Sequence, residues 1–551
     1  MGASIATPRI DIDAYAHLHE IVTPVKVERL AYWLDGYDED EAQLLKDGFT
    51  QGFSIQCAIK PPLVTSVKNQ KPAQENPEIL EKLLKKELEN NRIAGPFPHP
   101  PFVDLHVSPL SVRPKKAEGQ YRLIHNLSAP YGNSVNDGIS DEDASVQYES
   151  LDNAIEIIQT FGANCWIAKC DIKSAFRIVP VKASDRMLLG MQFKGNWYFD
   201  KCLGMGIRTS CAVFESLSRA LQWICKEKLG VEAMVHVLDD FSFYSPSKDV
   251  CKADLEKFKT LCADIGIPLA PEKTFDPSQI MEFLGILLNT LRMEASLPED
   301  KIKKCKNEIM KILSAKKVKK VKVKQLQSII GLLNFACRVI SPGRCFLRRL
   351  IDRTCGVKSN FHRVRITEGV KEDLKMWMTF LSSFNGKCMF IQPRWLTGNI
   401  ELFSDSCKTG FGAMCGSQWF AGRFPPETNL NITILELFPI LIGIIIFKEI
   451  FSGKRVVIHT DNKDLVSVIA KKTSKETKIM PLVRELVLQT MNHNIVLKPL
   501  HIRGRDNQVC DALSRSNFQR FRALAPQMEV EPVSIPKHLL PSQLFPRLMS
   551  K

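Results

Sequence analysis

Val235-His236-Val237-Leu238-Asp239-Asp240-Phe241 sets two adjacent acids between β-prone halves, the pattern of a hairpin with its charge at the tip. Upstream, Trp166-Ile167-Ala168-Lys169-Cys170-Asp171-Ile172 is another apolar run, closed by an acid. A carboxylate in or at the end of a hydrophobic element is costly unless a cation or hydrogen-bond donor compensates it, and clustered carboxylates repel one another further. A lone string of this kind is explained by an ordinary turn. Two such strands side by side would instead bring Asp171 and Asp239 to one edge, where a divalent metal removes both costs.

A second set of acids lies in the last third. Asp405 ends Phe403-Ser404-Asp405 ahead of what reads as a turn loosened by Gly410 and Gly412, and Asp461 ends the apolar run Val456-Val457-Ile458-His459-Thr460. Asp511 opens Asp511-Ala512-Leu513-Ser514-Arg515. Strand-end turns and a helix cap account for these three taken singly. Glu436, inside Ile434-Leu435-Glu436-Leu437-Phe438, has no cheap structural excuse.

With 551 residues, 44% of them hydrophobic, the chain is globular in composition and too long for one core. A formal net charge of +15 suits a polyanionic partner, because basic surface gains affinity by releasing the counterions condensed on nucleic acid. The 16 cysteines include no C-x-x-C pair, which fits reduced buried thiols and an intracellular protein rather than a disulfide framework or zinc site. The apolar stretch 437–447, broken by Pro439, falls short of the roughly 20 residues of a bilayer crossing and reads as a buried helix, so no membrane partner is expected.

Periodicity predicts an amphipathic helix from Pro77, with Ile79, Leu80, Leu83, Leu84 and Leu88 on one face, after a polar link at 68–77. Strands near 107–112 and 121–126 bracket a basic loop, and 165–290 alternates strands with helices in an α+β pattern. A helical, lysine-dense segment at 298–349 includes Lys301, Lys303, Lys304, Lys306, Lys316, Lys317, Lys319, Lys320, Lys322 and Lys324. From 400 the succession is strand hairpin, helix, strand, two helical stretches and a strand, a mixed α/β domain; beyond about 520 the proline-rich tail is expected to be poorly structured.

The segment Asp171-Ile172-Lys173-Ser174-Ala175-Phe176, with Val237-Leu238-Asp239-Asp240, resembles the palm motifs of reverse transcriptases. Similar likenesses are carried by Arg113-Pro114-Lys115-Lys116 with Tyr121-Arg122-Leu123-Ile124, by Leu203-Gly204-Met205-Gly206 with Ser210 and Phe214, and by Pro271-Glu272-Lys273-Thr274 with Glu282-Phe283-Leu284-Gly285. The resemblance implies that Asp171, Asp239 and Asp240 bind Mg2+ (or Mn2+), two ions activating a 3′-hydroxyl and stabilising the leaving pyrophosphate. It implies Phe176 as a gate against a ribose 2′-hydroxyl, Lys273 as proton donor to pyrophosphate, and Lys115, Lys116 and Arg122 as holders of the incoming dNTP. Met205 would stand in the template and nucleotide-positioning motif. Val237 departs from the family's aromatic residue in the hairpin, as Met205 does from a polar or aromatic one, and neither change removes a metal ligand.

The order Asp405, Glu436, Asp461, Asp511 over strand, helix, strand and helix resembles ribonuclease H, with His501-Ile502-Arg503-Gly504-Arg505-Asp506-Asn507 similar to retrotransposon versions. Those four acids would hold two Mg2+ ions for cutting RNA within an RNA–DNA hybrid, and His501 would be a packing or hydrogen-bonding residue. The fold so implied is an α+β right-hand polymerase (fingers, palm and thumb) followed by an α/β ribonuclease H-like domain. Its expected parts are an N-terminal extension 1–75, fingers and palm 76–297, a basic thumb or connection 298–390, a nuclease domain 391–520 and the tail. Asn91-Arg92-Ile93-Ala94-Gly95-Pro96-Phe97, Arg122-Leu123-Ile124-His125-Asn126-Leu127-Ser128 and Ser134-Val135-Asn136-Asp137-Gly138-Ile139 resemble DIRS-like, tyrosine-recombinase retrotransposons. The implied partners are RNA template, DNA primer, hybrid and dNTPs. The last tyrosine is Tyr244, so a recombinase, which needs a tyrosine after its His-x-x-Arg, is expected on a separate chain.

Overall fold

The computed structural model describes residues 12–115, 119–314, 320–357, 359, 361–383, 388–389, 400–452, 454–493 and 495–549. Two compact units emerge: Met1–Leu284 with Asn289–Arg292, and Gly285–Leu288 with Met293–Lys551.

In the first unit, β1 (Trp166–Asp171), β2 (Met234–Val237), β3 (Asp240–Ser245) and β4 (Phe275–Ser278) form an antiparallel sheet in the order β2-β3-β1-β4. Helices α1 (Ser210–Trp223) and α2 (Lys248–Ile265) cover it with Phe214, Leu217, Leu221, Phe258 and Leu261, and the Ser247 side chain caps α2 by accepting from the Val250 N–H. Residues 27–51 belong to this core, since Leu30, Leu45 and Phe49 are buried in it. The polar link expected at 68–77 is a packed clamp. Asn69 accepts from the Leu110 N–H (2.7 Å), and the Gln70 N–H donates to the Leu110 carbonyl (2.9 Å). Those two bonds satisfy the backbone at the edge of the hairpin Leu110–Pro114/Tyr121–His125, which explains why so polar a segment is ordered.

The second unit begins with helices, including Glu299–Leu313, Val323–Ala336, α3 (Arg348–Asp352) and α4 (Glu368–Ser383). Lys301 does not extend freely to solvent: its ammonium donates to the Gly285 carbonyl at 2.7 Å and lies 4.4 Å from the centre of the Phe335 ring. Lys316, Lys317 and Lys319 lie outside the described residues. A five-stranded sheet follows, in the order β7-β6-β5-β8-β9, built from β5 (Ile400–Ser406), β6 (Gly410–Cys415), β7 (Gln418–Arg423), β8 (Arg455–Thr460) and β9 (Val496–His501). The hairpin strands β5, β6 and β7 are antiparallel, whereas β5, β8 and β9 run parallel. Helices α5 (Ile432–Ile446), α6 (Lys463–Lys471), α7 (Met480–Asn492) and α8 (Gln508–Ser514) complete the domain.

Helix α5 is the apolar stretch expected to be a buried helix, and Leu437, Phe438, Ile440, Leu441, Ile442 and Ile444 are fully buried in it. Among the described residues no helix is long and apolar enough to cross a membrane. Pro439 sits inside α5 and has no N–H to give the carbonyl of Leu435, four residues back. The Ser406 hydroxyl supplies the missing donor at 2.9 Å, so a proline that should weaken the helix fastens it to β5 beside Asp405.

Gly410 and Gly412 are strand residues rather than a loosened turn. A Cβ on Gly412 would lie 2.4 Å from Leu513 Cβ, so glycine lets α8 approach β6 closely. The tail, expected to be poorly structured, packs on the same domain: the Val533 N–H donates to Trp419 O (2.8 Å), and Leu544 is buried with Phe545 against Phe438. Its sparse apolar residues fall where β7 and α5 leave hydrophobic surface to cover. The described cysteines form no disulfide.

Ser406→Ala leaves the Leu435 carbonyl buried without a donor. We expect a stability loss of about 1–3 kcal/mol in urea unfolding; an unchanged midpoint would show that the Pro439 gap is filled otherwise.

Candidate active sites

The register of the first sheet gathers the first set of acids. Asp171 at the end of β1 faces Asp240 at the start of β3, and Val237 faces Asp240, leaving Leu238-Asp239 as a two-residue turn. Such a turn needs positive φ to match the strand twist, and Leu238 adopts φ 52, a conformation costing a non-glycine residue about 1–2 kcal/mol. Asp239 is thereby set at the tip, and its carbonyl accepts from the Ile172 N–H at 2.9 Å, next to Asp171.

Cations already compensate part of this cluster. Lys273 Nζ reaches Asp171 Oδ1 at 2.9 Å and Oδ2 at 2.8 Å, while Lys169 Nζ lies 3.0 Å from Asp240 Oδ2. Asp240 Oδ1 is buried with no hydrogen-bond partner. Burial, opposed by Lys169, pushes Asp240 up to about 6; burial and then the neighbouring Asp171 raise Asp239. Burial would lower Lys273, but its bonds to Asp171 outweigh that and raise it.

Phe176 is half-buried in the turn Ala175–Ile178, edge-on to Phe214 with centroids 5.7 Å apart. Met205 is 59% exposed in the loop before α1. That loop is braced by Asn136, which donates to Gly206 O (2.8 Å) and accepts from the Arg208 N–H (3.0 Å). A Cβ on Gly206 would fall 1.8 Å from the His125 carbonyl. Arg113 and Arg122 face each other across the basic hairpin, exposed and without an ion pair among the described residues, an arrangement that repels until an anion binds. Lys115 is exposed at the hairpin's end, and Lys116 lies outside the described residues. No hydrogen bond or ion pair among the described residues joins this hairpin to the carboxylates.

Sequence reasoning passed over the support beneath the turn. His236 is 2% exposed, with Nε2 3.0 Å from Glu215 Oε1 and its backbone N–H donating to Glu149 Oε2 at 2.7 Å. Glu149 also accepts from Gln222. A histidine alternating with valines in a strand was the available signal, as was Lys169 in an otherwise apolar one.

In the second unit, Asp405 is the penultimate residue of β5 and accepts from Ser514 Oγ of α8 at 2.5 Å. Asp511, one turn earlier on α8, is held by Arg515 Nε (2.7 Å) and Arg520 Nη1 (3.3 Å). Asp461 follows β8, and its carbonyl lies 3.1 Å from His501 Nε2, consistent with a hydrogen-bonding role for that histidine. Glu436 projects from α5, bonded to Asn462, with Oε2 buried and unpartnered. Burial first, then repulsion by Asp461 and Asp511, raise Asp405 to about 6 against the Ser514 bond; burial, then Asp461 and Asp405, raise Glu436 to about 7 against the Asn462 bond. Asp405 therefore feels Asp461 and Asp511, and Glu436 feels Asp461 and Asp405.

Among the described residues no group of three or more His, Cys, Asp and Glu side chains forms a ready metal cage. The donor chemistry nevertheless suits a hard divalent cation: oxygen ligands, raised carboxyl pKa values, and a buried unpartnered oxygen on both Asp240 and Glu436.

Residues 113–288 match the model of the family described as reverse transcriptase (RNA-dependent DNA polymerase). No curated protein matches the chain. Among solved structures, the foamy viral protease-reverse transcriptase dRH in complex with double-stranded DNA aligns with TM-score 0.49 and 13% identity over 88% of this chain and 83% of that one. The foamy viral protease-reverse transcriptase in complex with RNA/DNA hybrid aligns with TM-score 0.48 and 12% identity over 86% and 63%. Residues 113–288, which hold Asp171, Asp239, Asp240 and Lys273, carry a reverse transcriptase domain.

Proposed function

We propose that the chain is an RNA-directed DNA polymerase fused to a ribonuclease H, copying retrotransposon RNA into DNA and degrading the RNA strand of the resulting hybrid. The observation that carries this reading is the pairing of Asp171 with Asp240 across one sheet, with Asp239 at the adjoining turn, inside the segment that matches the reverse transcriptase family. Support for the nuclease half comes from Asp405, whose carboxyl is raised by Asp461 and Asp511 after burial, and from Glu436, raised by Asp461 and Asp405 after burial. We keep fingers and palm at 76–297, a basic thumb or connection at 298–390 and the nuclease at 391–520, in a DIRS-like element whose recombinase is a separate chain.

In this reading Asp171, Asp239 and Asp240 would hold Mg2+ in the polymerase, and Asp405, Glu436, Asp461 and Asp511 would hold it in the nuclease. When bound, the ions lower the pKa of the attacking hydroxyl or water and stabilise the leaving oxygen. Lys273, half exposed and charged, leaves Asp171 and turns to the pyrophosphate, to which it gives a proton. Arg113, Arg122, Lys115 and Lys116 bind triphosphate, relieving the repulsion across the hairpin. Phe176, fixed by Phe214, presents its ring edge to the sugar. Template, primer and dNTPs are the partners.

A specific observation favours one alternative, a working nuclease joined to a polymerase half that only binds nucleic acid. Lys273 and Lys169 already satisfy two of the first set's acids, and Val237 and Met205 depart from the family pattern. Crossed variants decide. Asp239→Asn should cut primer extension on poly(rA)-oligo(dT) at least about 100-fold, as loss of a main electrostatic stabiliser does, and leave hybrid cleavage intact. Asp461→Asn should do the reverse. Cleavage without extension in the wild type selects the alternative, and equal cleavage by wild type and Asp461→Asn removes the nuclease assignment.

Proton and metal compete for Glu436 and Asp405. Their folded pKa values, about 7 and about 6, lie above the ordinary 4.5 and 3.8, so in EDTA their stabilising contribution is full below the ordinary values and is lost as pH rises through the folded ones. Mg2+ should raise Tm more at about pH 8 than at about pH 6, and Glu436→Gln should flatten both the EDTA profile and the Mg2+ response. A Mg2+ effect independent of pH would contradict the site.

A further inference from the structure

A cavity of about 250 Å³ lies in the second unit between α3 and the start of α7, lined by none of Asp405, Glu436, Asp461 and Asp511. Arg348, Arg349 and Asp352 line one side, and Thr477, Lys478 and Arg484 the other. With water occupying about 30 Å³ per molecule, the space suits a small hydrated anion.

The charges are lopsided and incompletely paired. Arg484 is 9% exposed, yet its Nε and Nη2 have no hydrogen-bond partner; Asp373 Oδ2 stands 3.6 Å from Nη2, too far for a hydrogen bond. Arg348 pairs with Asp352 through Nη2, leaving its buried Nε without a partner. Arg349 is engaged with the Gly369 carbonyl (3.0 Å) and Asp373 (3.3 Å), with Glu372 at 3.7 Å on its outer side. The Lys478 ammonium and Thr477 hydroxyl are exposed and have no partner among the described residues. Buried guanidinium donors without acceptors are costly, and a tetrahedral oxyanion satisfies planar N–H donors from two sides at once. The first turn of α7, a 13-residue helix, also lines the cavity and adds a dipole of the right sign.

We propose that this pocket is a phosphate-binding site, taking one phosphate group between Arg348, Arg484, Lys478 and Thr477. A backbone phosphate of bound nucleic acid and free inorganic phosphate share this chemistry. The site is distinct from both carboxylate clusters and does not depend on their activity.

The test uses the full chain in EDTA, as wild type and as Arg348→Gln/Lys478→Gln, both outside the catalytic sites. Sodium phosphate should raise the wild-type Tm above sodium chloride of equal ionic strength, and the variant should lose that difference. Binding of an RNA–DNA hybrid, followed by anisotropy against salt, separates the sources. A variant slope of log K against log[salt] shallower by about 0.9 identifies a backbone phosphate; an unchanged slope with the phosphate-specific Tm shift lost identifies free phosphate. An equal phosphate shift in wild type and variant, or no phosphate-specific shift together with an unchanged slope, overturns the proposal. Should the double variant fail to fold, exposed Lys478→Gln alone carries the same two readouts.

Discussion

Crowded carboxylates in half-buried surroundings are the constraint on which the functional reading depends. Two unit charges 4 Å apart at an effective dielectric near 20 interact by about 4 kcal/mol, so a cluster of acids stays charged only beside compensating cations or donors. The first set finds Lys273 beside Asp171 and Lys169 beside Asp240, which offset part of its repulsion. Among the described residues no lysine pairs with the second set, and its cations, Arg515 and Arg520, both sit on Asp511. Ser514, Asn462 and Arg515 reach single members of it, and Glu436 and Asp405 respond by holding their protons more tightly. The same physics thus gives one cluster internal lysines and leaves Asp405 and Glu436 of the other with raised carboxyl pKa values.

The scaffold exists to keep those acids close against repulsion. Ladder register places Asp171 opposite Asp240, and the Leu238 backbone accepts a strained conformation to set Asp239 beside them. Below the turn, His236 is clamped between Glu149 and Glu215. In the second unit the equivalent fastenings are Ser406, which takes the carbonyl freed by Pro439, and Gly412, which lets α8 settle on β6. Each fastening is a local sequence oddity whose value appears only in tertiary context.

That distinction explains what could be read from the sequence. Strands with strong apolar alternation or continuous apolar runs, such as Trp166–Asp171 and Arg455–Thr460, announce themselves, and the acids at their ends stand out because they violate the pattern. Glu149 and Glu215 did not, because contacts from a loop and a helix to a distant strand leave no periodic trace, and Lys169, though out of place in an apolar strand, does not by itself name its partner across the ladder. The order of the tail and of residues 69–75 was hidden for a related reason: few apolar residues suffice when a ready hydrophobic surface or an edge strand waits to be covered. Gly410 and Gly412 misled in the opposite direction, since a glycine that opens space for a helix looks in sequence like one that loosens a turn.

The central claim is that two separate carboxylate clusters each take up divalent metal. Counting bound Mn2+ by electron paramagnetic resonance tests it most directly, in the wild type and in variants with Asp239→Asn or Asp405→Asn. Two independent classes of site, each abolished by its own variant with the other intact, is the predicted result. Mn2+ bound to neither cluster, or lost from both with either variant, would contradict the account.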